Sequence, residues 1–419
     1  MTTQAHWSTR PLSVLVVATV VQVVTVMAGN SMVAIAPEIA RRLEVEPSLI
    51  GFQVSIVYSG AMIGALFGGP LVLRYGPCRT QQVCVALSAL GALVACAPSL
   101  WLLALASLLW GLGTGPATPA ASHVLNRFTD PARRNLIFSL KQTGVPLGVM
   151  AAAFVMPPLT LAGGAPTDYA LLAGVAAATA VFLQAVRRHW DDDRTPGRRL
   201  GGNPLAGLPM IWRHPLLRWL SASAFCYAFC QLCVTSFTVT MLVTEAGIGL
   251  VEAGLLLSLV QFSGVVSRVG FGIWADRVGS ALVPLALVGA GTAATCAVTA
   301  LLEPGWPRTG LWVLLVLLGG TAVGWTGMFV AEVARIAPRG QVGLATGSAI
   351  AFNFLGILAG PAIFALAYPW LGSYAHTFGA LAVVPLAGAV LVLHTLRVER
   401  RLGGGRRDGT SVATGDGQG

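Results

Sequence analysis

Lysine is all but absent from this chain. One lysine, Lys141, stands against 25 arginines in 419 residues, inside the apolar stretch "SLKQTGVPLG" (139–148). Charge of either sign is scarce: charged residues make up 10% of the sequence and apolar ones 55%, and the mean hydropathy is +0.75. A soluble globular domain carries about 25% charged residues, so that class is excluded and a protein crossing a membrane many times remains. Catalytic signatures are lacking as well. Neither H-E-x-x-H nor a nucleophile elbow stands in a sensible context, so no enzymatic activity, cofactor or metal is expected. Of the seven cysteines, Cys226, Cys230 and Cys233 share one helical stripe. No histidine or carboxylate joins them, which favours packing over a metal cluster, and no disulfide is implied.

What is present is a series of long apolar runs. A spanning helix needs about 20 mostly apolar residues. Such runs predict helices at 12–36, 50–73, 81–99, 101–125, 135–160, 167–187, 216–244, 250–274, 279–302, 309–333, 343–368 and 373–396. They are too long and too continuously apolar for barrel strands, and a backbone in hydrocarbon must otherwise satisfy itself as helix. The arginines are unevenly shared between the loops. One set holds Arg74, Arg79, Arg127, Arg133, Arg134, the run Arg187 to Arg218, Arg277, Arg335, Arg339 and the tail from Arg397 to Arg407; the other holds only Arg41, Arg42 and Arg308. By the positive-inside bias both termini are cytoplasmic, in a bacterial-style inner membrane. The net charge of +10 is therefore topological, and no nucleic-acid partner is expected. The run after Arg10 is too long for a signal peptide and lacks a cleavage site, so it is read as a retained first span.

The longest polar connection divides twelve spans into two sixes: an N-terminal bundle (1–187), a cytoplasmic central loop (188–215), a C-terminal bundle (216–396) and a disordered cytoplasmic tail (397–419). In the loop, "DDD" (191–193) beside His189 reads as solvated charge, and 205–219 as an interfacial helix. A repeat supports the division. "GPLVLRYG" (69–76) follows span two and "GIWADRVG" (272–279) follows span eight, with glycine, arginine and glycine at the same offsets 203 residues apart. The second copy resembles the G-x-x-x-D-R-x-G loop signature of the major facilitator superfamily, and span number, topology and central loop match over nearly the whole chain. That resemblance implies an all-α fold of two pseudo-symmetric six-helix bundles with a substrate cavity between them near the midplane. It also implies a gate on the cytoplasmic side, in which Asp276, next to Arg277, latches onto the start of span five near Arg133 and Arg134. The first copy departs from the pattern, since Leu73 stands where the acid is expected. Ser107 replaces the usual span-four arginine ahead of Gly111, and "GVPLG" does not match the exporters' span-five pattern; both weaken a proton-coupled drug exporter.

Glycines at four-residue spacing (Gly60, Gly64 and Gly68; Gly144 and Gly148; Gly356 and Gly360) predict that spans two, five and eleven are close-packed. Charges inside a span cost about 2.5–3.5 kcal/mol even on the gentler scales, so each needs a partner, a wet cavity or an escape route. Lys141, Arg268 and Glu332 are the clearest, with His123 as a titratable neighbour. Lys141 follows Arg133 by eight residues and Arg268 precedes Asp276 by eight, which puts both about 12 Å from the same side. Two cations at one depth repel, and an anion between them removes the penalty. Two alternatives stay open: Lys141 snorkels to the interface, or Arg268 pairs with Glu332, for which Arg335 competes. Uncharged polar groups at Gln22, Asn30, Gln53, Tyr58, Gln142, Tyr227, Gln231, Gln261 and Asn353 face either the cavity or a neighbouring helix.

The sequence thus predicts a monomeric secondary transporter in the lipid bilayer, moving a small organic anion by alternating access. Lys141 and Arg268 would bind it and Gln142, Tyr58 and Asn353 would orient it. A coupling proton, carried by Glu332 or His123, and an exchanged anion are both open. The rival reading is an exporter of amphipathic drugs or metabolites; a non-transporting ligand sensor would need a signalling domain that loop and tail are too short to hold.

Overall fold

The computed structural model describes residues 9–128, 137, 140–163, 165–195, 208–303, 305–338 and 342–408. Among them twelve helices are long and apolar enough to cross a membrane: Pro11–Ala34, Pro47–Ala65, Pro77–Ala95, Leu100–Phe128, Leu140–Gly163, Pro166–Trp190, Pro215–Thr244, Leu250–Ala275, Leu282–Thr299, Arg308–Ile336, Ser348–Leu371 and Tyr374–Arg401, numbered spans 1–12. Pro11, Pro77 and Pro215 open spans 1, 3 and 7, where a missing N–H costs nothing and a fixed φ favours the first turn. Both repeat loops end on a glycine in the left-handed region, Gly76 at φ 95° and Gly279 at φ 72°. That conformation is why the second glycine recurs, and it starts span 3 at Pro77 rather than near 81.

Three stretches differ from the sequence reading. Span 10 is interrupted at Trp325, between helices Arg308–Gly324 and Thr326–Ile336. The last helix runs from Val383 to Asp408, so residues 397–408, expected in a disordered tail, are helical. Up to Leu402 their Arg, Glu and Leu content favours helix, and Glu399 is held by Arg335 at 2.7 Å. In the central connection the acids are not simply solvated. Asp191 is buried and accepts from the N–H groups of Cys78 (2.7 Å) and Arg79 (3.2 Å) at the start of span 3, while Asp192 and Asp193 reach Arg127 and His123 of span 4. A short helix, Leu208–Arg213, precedes span 7.

The same pairs of helices pack in each half: span 2 on 4 and 1 on 5 in the first, span 8 on 10 and 7 on 11 in the second. The predicted glycine spacings are where backbones meet. A side chain at Gly60, Gly64 or Gly68 would strike Leu108, Leu112, Pro116 or Pro119 of span 4, and one at Gly148 would strike Val26. The repeat extends to individual contacts. Gly144 and Gly148 meet Gln22 and Val26, while Gly356 and Gly360 meet Phe225 and Phe229; Gly111 meets the Val57 carbonyl and Gly319 that of Val260. Each second partner in these pairs lies 203 residues beyond its counterpart, the same offset as the loop repeat.

We call the end of the bundle that carries Arg10 and Arg401 proximal and the other distal. The halves meet at the distal end. Ser55 donates to the Leu358 carbonyl at 2.9 Å and Ser258 to that of Met150 at 3.3 Å, and Gly51 and Gly254 lie against Pro361 and Ala153. An apolar core drawn from both halves seals this end. Proximal to these contacts the seam spans turn apolar side chains outward, among them Leu140, Leu147, Phe262, Val266, Val269 and Leu355. Among the described residues the hydrogen bonds between the halves lie at the distal end.

Candidate substrate site

Lys141 does not snorkel. It is 1% exposed, and it is the one charged residue of span 5. Its ammonium donates to Gln22 Oε1 of span 1 at 2.7 Å, to Thr118 Oγ1 of span 4 at 3.3 Å and to Gln142 Oε1 at 3.3 Å. Local structure aims it there: the Thr143 N–H bonds the Leu140 carbonyl three residues back, a tightened turn, and Gly144 then lets span 1 approach until Gln22 touches it. The three donors of the ammonium find three oxygens, all neutral. No carboxylate pairs with Lys141 among the described residues. Gln142 is exposed, so one of the three acceptors borders open space.

Arg268 repeats this condition in the other half. Its Nη2 donates to the Val323 carbonyl of span 10 at 3.2 Å, and its buried Nε has no acceptor among the described residues. The repeat relates Val323, Arg268's acceptor, to Gly115 on span 4, about one turn from Thr118, so the two cations lie at comparable depth. The alternative pair Arg268–Glu332 does not form. Glu332 is buried, accepts from the Ala281 N–H at 2.9 Å and from Arg335 Nε at 2.9 Å, and so ties span 10 to the start of span 9. His123 Nε2 lies 2.7 Å from Asp193 Oδ2 near the proximal surface. Both are parts of structural staples.

Of the other predicted residues, Tyr58 and Asn353 are half-buried. They stand three and five residues proximal of the Ser55–Leu358 contact, about 5–8 Å inside the distal seal. Arg277 is exposed; Arg133 and Arg134, and the side chain of Asp276, lie outside the described residues. Most remaining interior polar groups are satisfied within their own half. Gln53 donates to Ser107 (3.1 Å), Gln261 to Thr235 (3.2 Å), Tyr227 to the Leu285 carbonyl (2.9 Å) and Trp325 to Gln231 (2.9 Å). Sequence reasoning missed Thr118, which carries no signal beyond being a threonine in an apolar helix. It also missed Asp168, which is buried beside Thr160 at the distal end, because an acid at the second position of the predicted run (167–187) reads as a boundary.

The chain and its fold have counterparts among known proteins. Residues 18–332 match the family model described as Major Facilitator Superfamily. The chain is 28% identical over 386 residues to the "Probable nitrate/nitrite transporter NarK2" of Mycobacterium tuberculosis, spanning 89% of this chain and 93% of that one. It is 26% identical over 374 residues to the "3-(3-hydroxy-phenyl)propionate transporter" of Escherichia coli, spanning 86% and 89%. Among solved structures, a bacterial homologue of the human lysosomal transporter Spinster, in an inward-facing and unoccupied conformation, superposes with a TM-score of 0.78 over 92% of this chain and 97% of that chain, at 14% identity.

Proposed function

The chain belongs to the Major Facilitator Superfamily and is a transporter, and from that premise we propose that its cargo is a small organic anion of the carboxylate class. The observation that carries this reading is the pair of interior cations, Lys141 in one half and Arg268 in the other, neither with a carboxylate partner among the described residues. Each would be costly in an empty membrane interior, and one anion between them compensates both. The relatives named for nitrate or nitrite and for a phenylpropionate carry anions too, which supports the class without naming the compound.

In this reading the carboxylate replaces Gln142 as the third acceptor of Lys141 and takes the free Nε–H of Arg268, while Tyr58 and Asn353 orient the remainder. With the arginine-rich proximal end in the cytoplasm, the distal contacts lie on the outer side, as an inward-facing state requires. Opening the distal contacts and closing the proximal ones, with Asp276 and Arg277 latching near Arg133 and Arg134, completes alternating access. Glu332 and His123 are occupied by Arg335 and Asp193, which favours exchange of anions over proton symport.

The test is uptake of labelled phenylpropionate and nitrate by reconstituted vesicles. Lys141→Ala and Arg268→Ala should each weaken apparent affinity at least about tenfold, the scale of a lost charge-assisted hydrogen bond. Wild-type uptake by either folded variant overturns the reading. Thermal stabilisation of the wild type by amphipathic cations instead of carboxylates would assign the cavity to an exporter.

A further inference from the structure

A second concentration of unbalanced cations lies away from the seam. Between spans 2 and 3 at the proximal end, a cavity of about 590 Å³ is lined by Arg74, Tyr75, Arg79, Val83, Arg187 and Arg194, among others. Among the described residues the carboxylate beside this cluster is Asp191, and it is committed to the N–H groups of Cys78 and Arg79, with Arg187 Nε at 3.7 Å. The neighbouring acids are engaged elsewhere, Asp192 with Arg127 and Asp193 with His123. Among the described residues the Arg79 guanidinium reaches the neutral Gln82 Oε1, at 2.8 Å, and Arg74 lies over the Tyr75 ring. The deficit traces to the repeat. The second loop has an acid, Asp276, where the first has Leu73, whose carbonyl instead accepts the Thr195 N–H at 2.8 Å and brings Arg194 under the cavity.

The wall of the cavity is apolar and continues outward. Val83, Leu90 and Leu93 are exposed at helical spacing on span 3, forming a stripe that leads from the cavity along the bundle's outer surface. Arginines at the membrane boundary above an apolar stripe complement a molecule with an anionic head and hydrocarbon tails. We propose that this groove binds an anionic phospholipid, its phosphate among Arg74, Arg79, Arg187 and Arg194 and an acyl chain along the span 3 stripe. The lipid supplies the negative charge that the first repeat lacks. A free phosphate shares the head-group chemistry but not the use of the stripe. The proposal is independent of what the transporter carries, because none of these residues belongs to the cargo site.

Native mass spectrometry of the full chain in detergent, titrated with phosphatidylglycerol and with phosphatidylcholine of the same acyl chains, tests it. The wild type should retain phosphatidylglycerol about tenfold or more in preference, and Arg74→Gln/Arg79→Gln should abolish the preference. Arg188→Gln, at an exposed arginine next in sequence to Arg187 but outside the cavity lining, should keep it. If the double variant does not fold, Leu73→Asp places a carboxylate in the first loop and should expel the lipid. Equal retention of both lipids by the wild type, or an undiminished preference in the folded double variant, overturns the proposal. Inorganic phosphate displacing phosphatidylglycerol at equal concentration would also overturn it, by assigning the cavity to a soluble anion.

Discussion

The Lys141 amine sits among amide and hydroxyl oxygens, an arrangement that gives each N–H donor an acceptor and supplies no opposite charge. Its position was legible as an oddity of composition, but its partners were not: Gln22 and Thr118 lie 119 and 23 residues away in sequence. Other charges show the opposite case. Glu38 accepts from Arg41 Nε (2.9 Å) and Arg42 Nε (2.6 Å) at the distal surface. The Arg41 hydrogen bond, then Arg42, outweigh partial burial and pull its carboxyl from the usual 4.5 down to about 2. A lowered folded pKa means stability that is fully present above about 4.5 and lost as pH falls toward about 2. The melting temperature of Glu38→Gln should therefore lie below that of wild type at neutral pH, with the gap closing through that acid window. A gap that does not change with pH would show that the ion pair adds nothing.

At the scale of elements, helix packing rests on positions where a single methyl group is too much. Gly111 and Gly319 each face a carbonyl of the neighbouring helix, of Val57 and of Val260, at equivalent places in the two halves. Gly111→Ala and Gly319→Ala should each destabilise by about 1–3 kcal/mol, the usual cost of overpacking, read as a lower melting temperature in detergent. Gly174→Ala is the contrast, since a Cβ there meets nothing within 4 Å. It should leave stability unchanged or raise it by up to about 1 kcal/mol. The glycine spacing alone foretold that these helices were close-packed; it did not say which helix each would meet. The acids of the "DDD" segment were read as solvated because nothing local marks Asp191 as the acceptor for a helix start 113 residues earlier.

At the scale of the whole molecule, the two halves touch through the distal parts of spans 2 and 11 and of spans 5 and 8. If transport proceeds by alternating access, these contacts must part in every cycle. Cysteines introduced at Ser55 and Leu358, whose atoms meet at 2.9 Å, should be joined by a short bifunctional thiol reagent and block uptake, with recovery when a cleavable linker is reduced. Full uptake by the cross-linked protein would show that the distal seam does not open.

The sequence by itself determined the twelve spans, their division into two sixes and the repeat, because hydrocarbon forces each segment to satisfy its own backbone and composition then reveals it. It also marked Lys141 and Arg268, since charge inside such a segment is conspicuous. Only the tertiary structure decided that Lys141 is buried rather than snorkelled, that Arg335 and not Arg268 holds Glu332, and that four arginines line one cavity beside the first repeat loop. Those outcomes depend on which helix faces turn toward each other, and the choice is made by packing between residues far apart in the chain.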